Sequence, residues 1–419
     1  MPDLAALMIR PEEVASYIVW TDGVRIYAKD GQTGKIIASD GGDLGAVLQT
    51  IVNAIPENRA GTVFIKPGRY LMGSSVRIAK KSVALIGGYV WDSTASDVYT
   101  VQILLTNDGV SYFIIGDDTS SAPTHIFMMG FGVTPVDSSG NQTRHTSSIF
   151  VEMHNWIRHS MFRQMFINGV GTAFKHIQTY SPARGLEDVY FEHIAVERMN
   201  RRAFDLVFTG YNIRLTDVYV GENYTDEWIV AIMKGYDVFI SRLWFWTDNT
   251  YRGVLLSGGS RMIVRDAIIK GTRNETFRIQ NVSNVVVDNV IVDADTYKTA
   301  KVFHLSNNTN LEIRNVYAKY TTTPIYVEAG SQPRLVNCRF LNVNTNTEYR
   351  SENRGVVTIA AGSTRVTVSH ELVAAPSKVL VTPYGNAKIW VENITSTSFD
   401  IVTDTAPSSN LNIAWYAEV

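Results

Sequence analysis

A six-residue phrase recurs through the middle of this chain, and the recurrence constrains the fold more than any other feature. Each copy begins with an apolar residue, is rich in β-branched and aromatic residues, and follows the previous copy after 22–29 residues. The copies span residues 186–191, 215–220, 240–245, 264–269, 287–292, 313–318 and 335–340, and residues 162–167 resemble an earlier copy. A short period that tolerates insertions is typical of a solenoid. We therefore predict that each copy belongs to one coil of a parallel β-helix.

The third position of the phrase is predicted to be structural. Short polar side chains tolerate the left-handed backbone of a tight bend and bond to neighbouring backbone groups. Stacked coils would align them in a ladder, which Arg242 interrupts. The predicted ladder consists of Asp188, Asp217, Asp266, Asn289, Asn315 and Asn337. The first residues of the phrases are predicted to stack in the core: Leu186, Leu215, Ile240, Val264, Val287, Ile313 and Leu335.

Composition narrows the classes of partner and cofactor. The chain has 38 basic and 40 acidic residues, so it lacks the basic field that nucleic acids or anionic membranes require. Cys338 is the one cysteine and occupies a repeat position that suits a core residue. The eight histidines form no metal-binding motif, so we expect neither a metal nor another cofactor. The first residues resemble no signal peptide, and no segment predicts a membrane span.

Turn and linker residues divide the chain into three regions. Residues 1–40 are predicted to contain a β-hairpin, and residues 41–345 to form the β-helix. Apolar residues at helical spacing follow the candidate N-cap Asp43 and predict a helix over residues 43–55. After a polar linker, residues 346–419 contain six short alternating segments, which predict a C-terminal antiparallel β-sandwich.

The entrance to the repeats resembles that of the pectate-lyase-like β-helix proteins. The matching features are the acidic-glycine turn at 39–43, the helix after it, Pro67-Gly68-Arg69-Tyr70, and the looser Gly87-Gly88. The resemblance implies an all-β fold: a right-handed, single-stranded parallel β-helix whose open end is covered by the helix. The family includes lyases, hydrolases and inactive adhesins, so the resemblance leaves the activity open.

The C-terminal region resembles terminal domains of phage and archaeal viral tail or spike proteins. That resemblance implies a homotrimer that contacts a cell-surface glycan from a virion surface or another extracellular position. An apolar outward row along the repeats favours a subunit interface; covering loops or a local misreading of the alternation are the main alternative, and sugar stacking is a weaker one. The row contains Tyr190, Tyr219, Trp244, Ile268, Ile291 and Tyr317.

A second strand in each coil, with the loop that enters it, supplies the candidate site residues. Coils rise by about 4.8 Å, so carboxylates one or two coils apart lie within roughly 5–10 Å, as in glycosidases. The candidate catalytic residues are Asp205, Glu222, Asp226, Glu227 and Asp248. The candidate substrate-binding residues are Trp228, Trp246, Tyr251, Arg252, Arg278 and His304. The alternative is that these charged loops are only solvated.

Three functions remain open at this point. The first is a viral tailspike-like polysaccharide-binding protein that acts as a glycan depolymerase through paired carboxylates. The second is a non-catalytic structural or adhesive fibre protein. The third is a polysaccharide lyase, since pectate lyases use clustered aspartates with Ca²⁺ and an arginine. Asp205 and Arg278 occupy suitable positions for a lyase, but the strand lacks the partner acids.

Overall fold

The computed structural model describes residues 15–56, 59–79, 82–88, 101–116, 124–178, 185–221, 227–293, 299–342 and 347–419. Within these, the side chains of residues 207–209, 247–251, 342, 347 and 348 are left undescribed. The chain forms two compact units, Met1–Ile263 and Val264–Val419. Strand β16 (Trp228–Gln280) contains the boundary between them.

The first unit begins with three antiparallel strands and a helix. The strands are β1 (Tyr17–Thr21), β2 (Ile26–Asp30) and β3 (Ile36–Asp40), and β1 also pairs in parallel with the first strand of the solenoid. Helix α1 (Leu44–Ala54) follows as predicted, with the Asp43 side chain accepting from the backbone N–H of Gly45 at 3.0 Å. Its apolar face is buried against this end of the solenoid, which satisfies the capping role expected of it.

The remaining strands of the first unit form successive coils with parallel pairing. They are β4 (Ala60–Ile65), β5 (Gly68–Met72), β6 (Val76–Ile78), β7 (Ser82–Gly87), β8 (Val101–Leu105), β9 (Ser111–Gly116), β10 (His125–Pro135), β11 (Ile149–His154), β12 (Ile157–Asn168), β13 (Thr172–Ile177), β14 (Leu186–Glu197) and β15 (Phe204–Gly221). Inward residues alternate with outward ones along each strand, and the inward set is closed to solvent.

A stack of phenylalanines fills the centre of these coils. Phe162, Phe174, Phe191 and Phe204 are fully buried. Neighbouring rings have centroids 5.0–5.3 Å apart in stacked or edge-on geometry. Burying such a ring contributes roughly 1.5–3 kcal/mol, and favourable ring pairs add about 0.5–1.5 kcal/mol each. These contacts fix the rise of the coils that carry the outward side chains.

The register corrects one part of the predicted alignment. Leu215 pairs with Ile240, as predicted, but its partner on the preceding coil is Phe191 and not Leu186, which pairs with Ile157. The reason is that each coil contains two bends five residues apart. Leu-Glu-Asp-Val at 186–189 and Phe-Glu-His-Ile at 191–194 therefore fit the same pattern.

The ladder prediction changes in the same way. Asp188 stands in a separate bend row, where it contacts His159 at 3.2 Å and accepts from Asn212 at 2.6 Å. The residue beside Asp217 on the preceding coil is His193 and not Asp188. These bend residues all have positive φ angles of 45–55°: His159, Asp188, His193, Asn212 and Asp217. Arg242, the interruption in the predicted ladder, takes the same left-handed bend and donates to the Asp217 carboxylate from Nη2 at 2.6 Å. The same shift removes Tyr190 from the predicted apolar row, because it pairs with Met161 and Arg214.

The second unit continues with parallel coils of its own. Its parallel strands are β17 (Ser283–Asp293), β18 (Thr299–Ser306), β19 (Thr309–Ala329), β20 (Arg334–Val336) and β21 (Arg339–Asn342). Strand β22 (Thr347–Arg350) follows and pairs antiparallel with β21. Val287, Ile313 and Leu335 pair in register, which confirms this part of the predicted core. Cys338 is buried behind them, and burial raises the pKa of its thiol to about 11.

A β-sandwich completes the second unit. One sheet has the order β23 (Glu352–Ile359), β28 (Leu411–Glu418), β25 (Lys378–Pro383), and the other has β24 (Arg365–Ser369), β27 (Ser398–Thr403), β26 (Ile389–Glu392). All pairs are antiparallel, and Ile359, Phe399, Ile401 and Ile413 form the shared core. The sandwich is therefore confirmed, while its predicted boundary at 345/346 lies outside the described residues.

Candidate functional site

The second strand of each coil, here called the groove strand, carries charged side chains in one outward row of the first unit. It comprises β9, β11, β13 and the first residues of β15 and β16. Phe174, Phe204 and Val230 pair in register and point inward. Alternation then turns the residues that follow them outward. The resulting row, in successive coils, is Ile114, Glu152, Lys175, Asp205 and Ala231. Asp205 therefore lies at an outward position of the strand.

One guanidinium joins two of the predicted catalytic carboxylates. Arg202 donates from Nη1 to Oδ1 of Asp205 at 2.5 Å, and its Nε lies 2.9 Å from Oε2 of Glu227. Asp205 is half-buried, whereas the side chain of Glu227, which directly precedes β16, is 45% exposed. The carboxylates therefore flank one planar cation, each with one close contact to it. Glu222, Asp226 and the side chain of Asp248 lie outside the described residues.

Glu152, two coils before Asp205, is a site residue that the sequence analysis missed. Its carboxylate accepts from Ser111 Oγ at 2.8 Å and lies 2.5 Å from Nε2 of His154. Burial alone would raise the pKa of Glu152, but the hydrogen bonds from His154 and Ser111 and the charge of Lys175 lower it overall. A glutamate at an outward position between buried residues, with His two positions later, was the available signal. The candidate residues were all taken from later coils, so Glu152 was not among them.

The predicted sugar-stacking residues of the first unit differ in accessibility. Trp228 is only 7% exposed and packs on Ala231 and Leu255, with the Arg252 guanidinium 5.7 Å from its ring centre. Its ring offers no open face, which argues against the predicted sugar contact. Trp246 is 50% exposed, and Arg252 is exposed as well. The side chain of Tyr251 lies outside the described residues.

Arg278 and His304 belong to a separate cluster on the groove strand of the second unit. His304 is buried, with Nδ1 2.9 Å from Glu275 and Nε2 3.0 Å from Glu328. Its imidazole therefore bridges the two carboxylates through both ring nitrogens. Arg278 lies 3.6 Å from Glu328, and Lys301 lies 3.8 Å from Glu275. This compact set of acids and bases was predicted only in part.

Two further searches were made over the described residues. These residues contain no group of three or more His, Cys, Asp or Glu side chains arranged to hold a metal ion. Within the same residues, no helix has both the length and the apolar character needed to cross a membrane.

Comparisons with known proteins concern the fold. Residues 247–396 match the family described as the right-handed β-helix region, so the parallel coils follow the right-handed form that the sequence predicted. No curated protein matches the chain.

Solved structures similar to the chain include an enzyme module and phage tailspikes. The A-module of the Azotobacter vinelandii mannuronan C-5 epimerase AlgE4 is 14% identical, with 72% of this chain and 92% of that chain covered, at a TM-score of 0.42. Tailspike protein 2 of bacteriophage CBA120 is 8% identical, with 90% of this chain and 71% of that chain covered, at a TM-score of 0.44. The Gp54 tailspike of Acinetobacter baumannii bacteriophage AP22 was solved with a capsular saccharide. It is 10% identical, with 90% of this chain and 94% of that chain covered, at a TM-score of 0.33. At these identities and scores the likenesses carry no information on activity.

Proposed function

We propose that the protein is a tailspike-like polysaccharide-binding protein that hydrolyses a glycan along the groove strand of its first unit. The observation that carries the proposal is the pair Asp205 and Glu227 on either side of Arg202. Two carboxylates separated by the width of a guanidinium suit the separation of roughly 5–9.5 Å that glycosidases use. The outward row adds Lys175 and Glu152, which give the groove further polar contacts for sugar hydroxyls.

The two carboxylates have different surroundings and therefore different proposed roles. Glu227 is the more exposed and protonates the glycosidic oxygen as the bond from the anomeric carbon to that oxygen breaks. Asp205, half-buried beside Arg202, accepts a proton from the water that attacks the anomeric carbon. Trp246 and Arg252 are proposed as contacts to the sugar chain near this pair. Arg278 and His304 are proposed separately as contacts to acidic sugars on the second unit.

The test is cleavage of purified polysaccharides by wild type and by two isosteric variants. On a substrate that wild type cuts, Asp205→Asn and Glu227→Gln should each lower the release of reducing ends by at least a hundredfold. Their melting temperatures should stay near that of wild type. Glu192→Gln is the matched control, because Glu192 forms an outward ion pair with Arg163 at 3.7 Å elsewhere on the first unit. Full activity in both groove variants would refute the assignment.

A non-catalytic adhesive function is the second candidate, and one observation favours it. Arg202 already neutralises both carboxylates, which suits a rigid binding surface as well as a hydrolytic one. Retention of a polysaccharide without any release of reducing ends would support adhesion. The third possibility, a lyase, would instead produce unsaturated products that absorb ultraviolet light.

Assembly as a homotrimer at a virion surface or another extracellular position is part of the proposal. In the first unit, Tyr219 and the half-exposed Trp244 lie in one outward row, with their ring centres 6.2 Å apart. In the second unit, Ile291 and Tyr317 are paired in the same way. Aromatic surface of this kind is enriched at interfaces. Light scattering should give three times the chain mass of 46.7 kDa, and a monomer at micromolar concentration would refute the trimer.

A further inference from the structure

A buried histidine on the groove strand of the second unit lies between two carboxylates. The imidazole of His304 has Nδ1 2.9 Å from Oε1 of Glu275 and Nε2 3.0 Å from Oε2 of Glu328. Glu275 lies on β16, His304 on β18 and Glu328 on β19, so the contacts join three successive coils. We name these three residues the His304 bridge. Because the histidine is only 5% exposed, its influence on a ligand passes mainly through the residues that it holds.

A bulge in β19 places Glu328 beside the ring. Leu305 pairs with Val327, but the next pair is Ser306 with Ala329, so Glu328 is an additional residue that the register passes over. Bulges are rare in parallel pairs, and they are over-represented beside active sites, where they change the direction of a side chain. The His304 bridge is therefore a local departure from the repeat of the solenoid.

Two partly exposed cations lie beside the His304 bridge. Arg278, which pairs with His304 in register, has Nη2 3.6 Å from Oε2 of Glu328. Lys301 has Nζ 3.8 Å from Oε1 of Glu275. Among the described residues, the titratable and charged groups around the ring come from three strands: Glu275 and Arg278 from β16, Lys301 from β18, and Glu328 with the edge-on ring of Tyr326 from β19.

The protonation state of the ring decides which contacts the bridge makes. An ionised carboxylate only accepts hydrogen bonds, whereas an imidazolium donates from both nitrogens and a neutral imidazole from one. An imidazolium therefore serves both carboxylates, and a neutral ring leaves one of them facing a lone pair. Glu328 is the carboxylate that can leave, because its side chain is 48% exposed. The side chain of Glu275 is 13% exposed, and its Oε2 is closed to solvent.

Release of Glu328 changes the charge that the groove presents to a ligand. Beside a protonated ring three cations face two carboxylates, whereas beside a neutral ring two cations face two. A released Glu328 also has the guanidinium of Arg278 3.6 Å away, and it competes with an anionic ligand for that cation. We propose that the His304 bridge is a pH switch that strengthens the binding of acidic sugars by Arg278 when the ring gains a proton. The switch rests on the contact proposed above between Arg278 and acidic sugars.

The first test measures binding of the full chain to immobilised alginate and hyaluronan at constant ionic strength. Histidine changes its charge between about pH 5 and pH 8, so wild type should bind at least one of these polymers about fivefold more tightly at about pH 5.5 than at about pH 8. His304→Gln should lose this dependence. Glu328→Gln removes the competing charge, so at about pH 8 it should bind as tightly as wild type does at about pH 5.5. Glu328 is exposed, so this variant should fold even if His304→Gln does not.

Two controls accompany these variants. His193→Asn removes a histidine that is 47% exposed beside Asp217 in the first unit, and it should keep the pH dependence of wild type. Arg278→Gln should weaken binding at both pH values, because it removes the proposed contact itself.

A second test needs no ligand. In protein labelled with ¹³C at Cε1 of histidine, the His304 signal is the one missing from His304→Gln, and it should titrate between about pH 5 and pH 8. In Glu328→Gln it should titrate at lower pH, because the imidazolium loses one carboxylate partner. The switch is overturned if His304 does not titrate in this range, or if Glu328→Gln keeps the pH dependence of wild type. If no acidic polymer binds at any pH, the proposed contact fails together with the switch. Binding that Arg278→Gln weakens but pH does not change would overturn the switch alone.

Discussion

Replacing Phe204 with alanine tests the connection between the solenoid core and the groove. Phe204 is fully buried, stacks on Phe174 at 5.2 Å and meets the edge of Phe191 at 5.2 Å. It also directly precedes Asp205, the outward carboxylate of the same strand. Loss of the ring removes buried apolar surface, two aromatic contacts and the support beneath the groove.

The expected loss of stability follows from these contacts. Phenylalanine-to-alanine changes in cores cost about 3–5 kcal/mol, which includes the cavity left behind. The two ring pairs account for about 1–3 kcal/mol of this. Phe204→Leu keeps most of the volume and should cost about 1.5 kcal/mol. Tyr211→Ala removes a ring that is 49% exposed and lies outside the proposed interface row, and it should cost far less than Phe204→Ala.

Urea unfolding followed by tryptophan fluorescence and circular dichroism measures these differences as shifts in the transition midpoint. For Phe204→Ala, activity on any confirmed substrate should also fall under conditions where the variant remains folded, because Asp205 is displaced. The reasoning is refuted if Phe204→Ala and Tyr211→Ala lower the midpoint equally. That result would mean that the ring stack does not support the coils.

Three further predictions concern single groups. The pKa of Glu152 is lowered in the folded protein, so its ionised form adds stability at neutral pH that is lost as the pH falls through the folded value. Glu152→Gln should thus be less stable than wild type at pH 7, with a gap in melting temperature that narrows below about pH 4. Asp400 has a pKa of about 2, lowered by hydrogen bonds from Thr367, Asn393 and Arg365. Asp400→Asn should lower the melting temperature above about pH 4, and a gap that persists at pH 2 would contradict this sign. Burial raises the pKa of Cys338 to about 11, so iodoacetamide at about pH 8 should alkylate it only after unfolding, as mass spectrometry would show.

The fold could be predicted because its determinants are local and repeated. Each coil needs apolar inward residues and a residue that tolerates a left-handed bend, and both recur in the sequence. The register was less secure, since two bends five residues apart in one coil carry the same pattern. The structure shows which bend is equivalent, because Leu215 pairs with Phe191. That pairing joins residues far apart in sequence, so a short sequence segment does not reveal it.

The candidate site was predictable to the extent that alternation determines it. Alternation along the groove strand gave the outward position of Asp205 correctly. The burial of Trp228 was not predictable in this way, because it depends on Ala231 beneath it and Leu255 one coil further on. Arg202 was likewise visible in the sequence as a loop charge, but its position between Asp205 and Glu227 joins residues from two coils.

These differences follow from how a solenoid distributes its constraints. The backbone repeat determines which positions face outward, and these positions are equivalent in every coil. The partner of that side chain is chosen across coils, as when Arg242 reaches Asp217 or Arg202 reaches Glu227. A change at one outward position should therefore alter binding chemistry without altering the fold, whereas a change at an inward position such as Phe204 should alter both.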